Sequence, residues 1–218
     1  MSLALTRLMQ LASPALPVGA FSYSQGLEWA VEAGTVVDEA SALAWIGDQM
    51  EWNLSRYEVP LLVRLMAAHA AGATDTVVEL DALYLASRES AELRAETLQM
   101  GHSLRKLAVD LALPVTVPPQ PTFPGVWSAL AAHWAIAPDE AAAAWLWSWA
   151  ENQTMAGLKT VPLGQAAGQR ILLEIGRRIP PLVERALALD DDQLSNFAPG
   201  FAIACARHET QYSRLFRS

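Results

Sequence analysis

The chain has 218 residues, of which 52% are hydrophobic and 17% charged, and its formal net charge is -8. That much apolar surface excludes global disorder, and the acidic balance argues against nucleic acid or an anionic membrane surface as partner. One cysteine, Cys205, excludes a disulfide scaffold and a Cys-rich zinc or iron–sulfur site, and points to a reducing compartment.

Helical periodicity dominates from the start. Leu5, Leu8, Met9 and Ala12 mark one face of a helix from Leu3 to Ala12, stopped at Ser13-Pro14. A turn-like stretch, 16–21, leads to Ser22 and Gln25, spaced as a capping box for a helix ending at Gly34. Asp38 is placed to cap a third helix through Trp45, Ile46, Met50 and Trp52. Pro60 should reset the chain before a short helix from Leu61 to Ala70. Asp75 or Thr76 is the expected cap of the next helix, and Ser90 opens a segment reaching Leu111.

Residues 114–124 hold five prolines and must form an extended loop. Short helices are expected over 126–134 and from Pro138 onward. The stretch 141–150, with Trp145, Trp147 and Trp149, is apolar on nearly every side, so it is buried all round or partly covered by a partner. A helix from near Leu163 should break or kink at Pro180-Pro181 and resume over 182–189. Asp190-Asp191-Asp192 reads as an acidic cap before a last helical piece, 201–207. No fixed-period repeat and no alternation of strands and helices occurs. The expected fold is all-α: one domain over 1–218, a bundle of about ten short helices with a proline-rich loop near 114–124 and a C-terminal tail.

Catalytic patterns are missing. His69, His102, His133 and His208 are scattered, with no two at metal-ligand spacing. Ser103 and Lys106 have the Ser-x-x-Lys spacing of some acyl-transfer enzymes, but the companion motifs are absent. The glycines at 19–26 lack the Gly-Lys-Ser/Thr of a phosphate loop. Glu28, Glu32, Glu51 and Glu58 read as solvated helix faces. No nucleophile stands beside a base. The tryptophans alone motivate an apolar ligand pocket, and no acid, base or metal pattern supports an enzyme built around one. The expectation is a non-enzyme with no metal or cofactor of its own, located in the cytoplasm, since no segment reads as a signal peptide or spanning helix.

Two segments are unusual. Residues 16–28, Leu-Pro-Val-Gly-Ala-Phe-Ser-Tyr-Ser-Gln-Gly-Leu-Glu, pack Phe21, Tyr23 and two glycines into thirteen positions. On the residues alone this is a tightly specified turn, with Gly19 freeing the backbone and Phe21 stapled onto the following helix. Residues 207–218 carry Tyr212, Leu215, Phe216 and the arginines Arg207, Arg214 and Arg217. Tyrosine and arginine dominate interface hot spots. Two readings stay open: a partner-docking tail, or a tail folded back onto its own core. Lys159, one of two lysines, precedes Pro162 at a helix end.

These segments resemble the urease accessory protein UreF family. The resemblance rests on 16–28, on Leu-Lys-Thr-Val-Pro-Leu-Gly-Gln at 158–165 and on His-Glu-Thr-Gln-Tyr-Ser-Arg-Leu-Phe-Arg-Ser at 208–218, in that order. It implies an all-α homodimer that joins the accessory protein UreD (UreH) and the GTPase UreG, and through them the urease apoprotein. Nickel and GTP would belong to that assembly and its GTPase. Carried over by resemblance, partner contacts fall on Phe21, Tyr23, Lys159, His208, Glu209, Tyr212, Arg214, Leu215, Phe216 and Arg217. An alternative is a regulator that stimulates UreG by supplying Arg214 or Arg217 in trans.

Overall fold

The computed structural model describes residues 3–218. Among these residues there are ten α-helical segments and no strand: α1 (Leu3–Leu11), α2 (Leu27–Glu32), α3 (Glu39–Gln49), α4 (Val59–Ala70), α5 (Thr74–Ala86), α6 (Ala91–Asp110), α7 (Phe123–His133), α8 (Pro138–Thr160), α9 (Gln165–Leu187) and α10 (Pro199–His208). The all-α reading holds. The expectation of uniformly short helices does not, because α8 and α9 each run 23 residues.

Helix starts follow local chemistry where a polar cap is free to act. The Asp38 carboxylate accepts from Ser41 N at 2.9 Å, and the Ser41 hydroxyl accepts in return from Asp38 N at 3.0 Å. Ser90 Oγ accepts from Leu93 N and opens α6 as expected. Thr122 Oγ accepts from Gly125 N, so α7 begins at Phe123, with Pro124 in its first turn rather than in the loop. Neither Asp75 nor Thr76 caps α5. That helix starts at Thr74, behind Ala73, without a side-chain cap.

Three prolines fail to end their helices. Residues 39–70 run on without a break, because a π-helical turn, Met50–Glu58, joins α3 to α4. Pro60 lacks the N–H that would bond Arg56 O, and Ser195 N donates to that carbonyl instead at 3.1 Å. In α9, Pro180 and Pro181 sit on the exposed face. Ile171, Ile175, Ile179, Leu182 and Val183 bury the opposite face on both sides of them. At roughly 2 kcal/mol for each large buried side chain, this stripe outweighs the proline penalty of about 3 kcal/mol.

One core joins both sides of the proline loop, from Leu8 to Phe216. α8 lies at its centre, against α9, α4, α2 and α3. Every residue from 141 to 150 is buried or half-buried, as its all-round apolar pattern requires. Trp145 packs edge-on to Trp127, with ring centroids 5.5 Å apart, and beside Phe123. Residues 112–121 form an extended strap across α6. A Cβ at Gly101 would overlap the Pro121 carbonyl oxygen, so glycine there is what lets the strap lie close.

Candidate functional site

The 19–28 segment is a left-handed hinge rather than a capped helix start. Gly19 and Gly26 have φ of +81° and +77°, and Gln25 has φ of +50°. Gly26 stands where α2 meets α10: a Cβ there would lie 3.1 Å from Cys205 N and from Ala204 Cβ. The expected Ser22–Gln25 capping box is absent: Ser22 ends a short 3₁₀ turn, Ala20–Ser22, α2 begins only at Leu27, and the Gln25 side chain is engaged elsewhere. Ser22 O accepts from Arg217 N at 2.8 Å. Gln25 Nε2 donates to Glu96 at 2.5 Å, and Gln25 Oε1 accepts from Trp149 Nε1 at 2.6 Å. Phe21 is no staple, being 67% exposed.

Into this hinge folds the tail, 209–218. It is not helical. Glu28, in the first turn of α2, receives it with both carboxylate oxygens, accepting from Leu215 N at 2.7 Å and from Phe216 N at 3.0 Å. The Ser218 main-chain oxygen accepts from Ser24 N, Gln25 N and Ser24 Oγ at 2.8, 3.0 and 2.6 Å. Ser218 Oγ donates to Glu96 at 2.6 Å. At the other end of the tail, His208 is fully buried between Glu92, 2.6 Å from Nδ1, and Glu28, 3.3 Å from Nε2. Glu92 also takes Arg214 at 2.5 Å. Glu209 accepts from Ala91 N and so caps α6 from outside. Lys159 Nζ stands 5.5 Å from the centre of the buried Phe216 ring.

The clasp is electrostatic, and its receiving groups, Ser24, Glu28 and Glu96, are buried. Burial pushes the Glu96 carboxyl up to about 7, although the Ser218 and Gln25 donors pull the other way. Burial and the neighbouring Glu96 also raise the Tyr23 phenol. Burial lifts the Cys205 thiol well above its ordinary value, which leaves it unreactive. Among the described residues, no three His, Cys, Asp or Glu side chains are grouped to hold a metal ion.

The UreF family model matches residues 36–176. A urease accessory protein UreF from Dechloromonas aromatica is 58% identical, over 99% of this chain and 98% of its own length. UreF proteins from Azoarcus sp. and Methylobacillus flagellatus are 56% and 48% identical, covering 99% and 100% of this chain and 96% and 99% of their own. The chain belongs to the UreF family.

With membership in the UreF family established, the candidate contacts can be placed one by one. Phe21, Lys159, Glu209, Tyr212, Arg214, Leu215 and Arg217 are exposed. Tyr23, His208 and Phe216 are not: they are 5%, 0% and 6% exposed and turned inward. In this arrangement their side chains pack beneath the surface rather than on it. Arg207 and Arg214 do not share a helix face, since α10 ends at His208. Of the two open readings of the tail, the backbone follows the folded-back one, while Tyr212 and Leu215 point outward at 105% and 73% exposure.

Residue types alone missed the receivers. Glu28 and Glu58, read as solvated, are 7% and 6% exposed. Glu58 pairs with Arg88 at 2.7 Å. Glu28 looks in the sequence like an ordinary first-turn acid favoured by the helix dipole. The available hint was Ser24-Gln25, two hydrogen-bonding side chains before a left-handed glycine, which cannot both cap one helix.

Proposed function

We propose that this chain is a scaffold in urease maturation, presenting the outer face of its clasped tail to UreD (UreH) and UreG, and through them to the urease apoprotein. It acts as a homodimer in the cytoplasm, and nickel is the cargo of the assembly rather than a resident group of this chain. The observation that carries this reading is Tyr212, fully exposed on a backbone held from both sides, with Leu215 and Phe21 also outward. Large exposed apolar and aromatic side chains on an ordered frame are what an interface anchor requires. The ordering entropy of the tail is spent before a partner arrives. Membership in the UreF family and relatives named urease accessory proteins support the same reading. Arg214 is paired with Glu92 in the free chain, so an arginine acting in trans on the GTPase is the less favoured reading.

Deleting the tail is a poor test, because it strips buried Glu28 and Glu96 of their partners. The discriminating variant is Tyr212→Ser with Leu215→Ser, co-expressed with UreD and UreG. The expected result is unchanged thermal unfolding and about tenfold less recovered complex. Natural complex yield from a folded double variant contradicts the proposal.

A further inference from the structure

His208 closes α10 where three elements meet, and both of its ring nitrogens face carboxylate oxygens. Nδ1 lies 2.6 Å from Glu92 Oε2 of α6, and Nε2 lies 3.3 Å from Glu28 Oε2 of α2. The ring is fully buried. A neutral imidazole carries one N–H and one lone pair, so it satisfies one of these acceptors and turns a lone pair toward the other. An imidazolium carries two N–H donors and satisfies both. The shorter contact is the one to Glu92, so a neutral ring keeps its single N–H there and sets its lone pair against Glu28. That same Glu28 Oε2 accepts from Phe216 N at 3.0 Å. The oxygen that a neutral ring repels is thus one that holds the tail.

Charge points the same way. Glu92 also takes Arg214 of the tail at 2.5 Å. With His208 protonated, the carboxylates of Glu28 and Glu92 meet two cations, His208 and Arg214. With it neutral, they share Arg214 alone, and a carboxylate without a counter-ion beside a buried ring is costly. The other titratable groups of the packed elements are engaged elsewhere. Glu32 of α2 accepts from Gln211, Glu96 of α6 from Gln25 and Ser218, and Glu209 of the tail from Ala91 N. Arg88, just before α6, pairs with Glu58. Burial raises the carboxyl of its neighbour Glu89 and the Cys205 thiol of α10. Arg207 and Arg217 lie exposed.

We propose that His208 is a proton-loaded latch for the tail: doubly protonated, it bridges Glu28 and Glu92 and the tail stays clasped, and its deprotonation loosens the hold of Glu28 on Leu215 and Phe216. The tail is therefore closed at lower pH and loosens as pH rises. The use of such a latch to govern how Tyr212 and Leu215 are presented rests on the scaffold reading above. The closing itself needs no partner and belongs to the isolated chain.

The test follows the full chain, without a partner, from about pH 5 to about pH 8. One readout is the ring-nitrogen NMR signal of His208, which separates imidazolium from neutral imidazole and is assigned by its loss in His208→Gln. The other is amide exchange at Leu215 and Phe216, taken relative to an unstructured peptide at the same pH. The expected result is at least about a tenfold fall in protection at both amides as the imidazolium signal is lost, with α8 unchanged. Glu92→Gln removes one of the two charges facing the ring and should move that transition down by about one pH unit. Glu96→Gln removes the other titrating carboxyl of the clasp and should leave the transition in place, whereas His208→Gln should abolish it. If a variant fails to fold, the coincidence of the two readouts in the natural chain decides. A neutral ring in a fully protected tail, an imidazolium signal that persists across the range, protection that stays constant while the ring loses its proton, or a transition that survives in His208→Gln overturns the proposal. Each of these results leaves the complex yield of the Tyr212→Ser, Leu215→Ser variant as a separate test of the scaffold reading.

Discussion

Two irregular segments lie across the same helix, α6, and are fastened in opposite ways. The proline strap, 112–121, approaches the α6 backbone at Gly101, packs Val115 and Val117 on the core, and is anchored where Thr122 N and Oγ donate to buried Asp81. The tail, 209–218, is held by carboxylates of α2 and α6 that accept its backbone N–H and hydroxyl groups. Steric fit turns Leu113, Val115 and Val117 of the strap toward the core. The clasp seizes the tail's backbone and so frees Tyr212 and Leu215 to face outward. The first is a way to close a surface, the second a way to present one.

The sharpest break in that comparison comes on the strap side. Gly101→Ala places a methyl into the Pro121 carbonyl and should cost about 3 kcal/mol in urea unfolding, with the tail's amide protection unchanged. On the tail side, Glu28→Gln removes the charge that two amides and His208 share. It should cost about 2.5 kcal/mol and speed hydrogen exchange at Leu215 and Phe216, leaving the strap untouched.

Acidity separates the two segments next. Because the Glu96 carboxyl is raised to about 7 in the fold, against 4.5 ordinarily, the folded chain binds the extra proton between those values. Its contribution is therefore fully present below pH 4.5 and is lost as pH rises through 7. Between pH 5 and pH 7 the natural chain should lose about 2 kcal/mol relative to Glu96→Gln. Parallel stability curves for the two proteins would show that Glu96 does not titrate in the clasp. The smallest effect is expected for Arg214→Ala, whose part-exposed pair with Glu92 should matter by less than about 1 kcal/mol in thermal or urea unfolding.

What could be read from the sequence divides along the same line. Asp38, Ser90 and Pro138 signal helix starts through bonds or backbone angles within three residues, and all three act as read. Pro60 and Pro180-Pro181 mislead, because a π-helical turn, a distant amide from Ser195 and a continuous buried stripe override the local rule. The clasp was illegible for a further reason. Glu28 meets Leu215 and Phe216 across 187 and 188 residues, and no periodicity records such a pairing. The conspicuous composition of 16–28 and 208–218 showed that both segments matter, but not that they grip each other.

Amide hydrogen exchange of the isolated chain addresses the clasped tail most directly. Protection at Leu215 and Phe216 comparable to that of neighbouring α2, while the Tyr212 ring stays accessible to solvent probes, is the expected result. Exchange of both amides at the rate of an unstructured peptide would mean that the tail hangs free and that Glu28 does not present it.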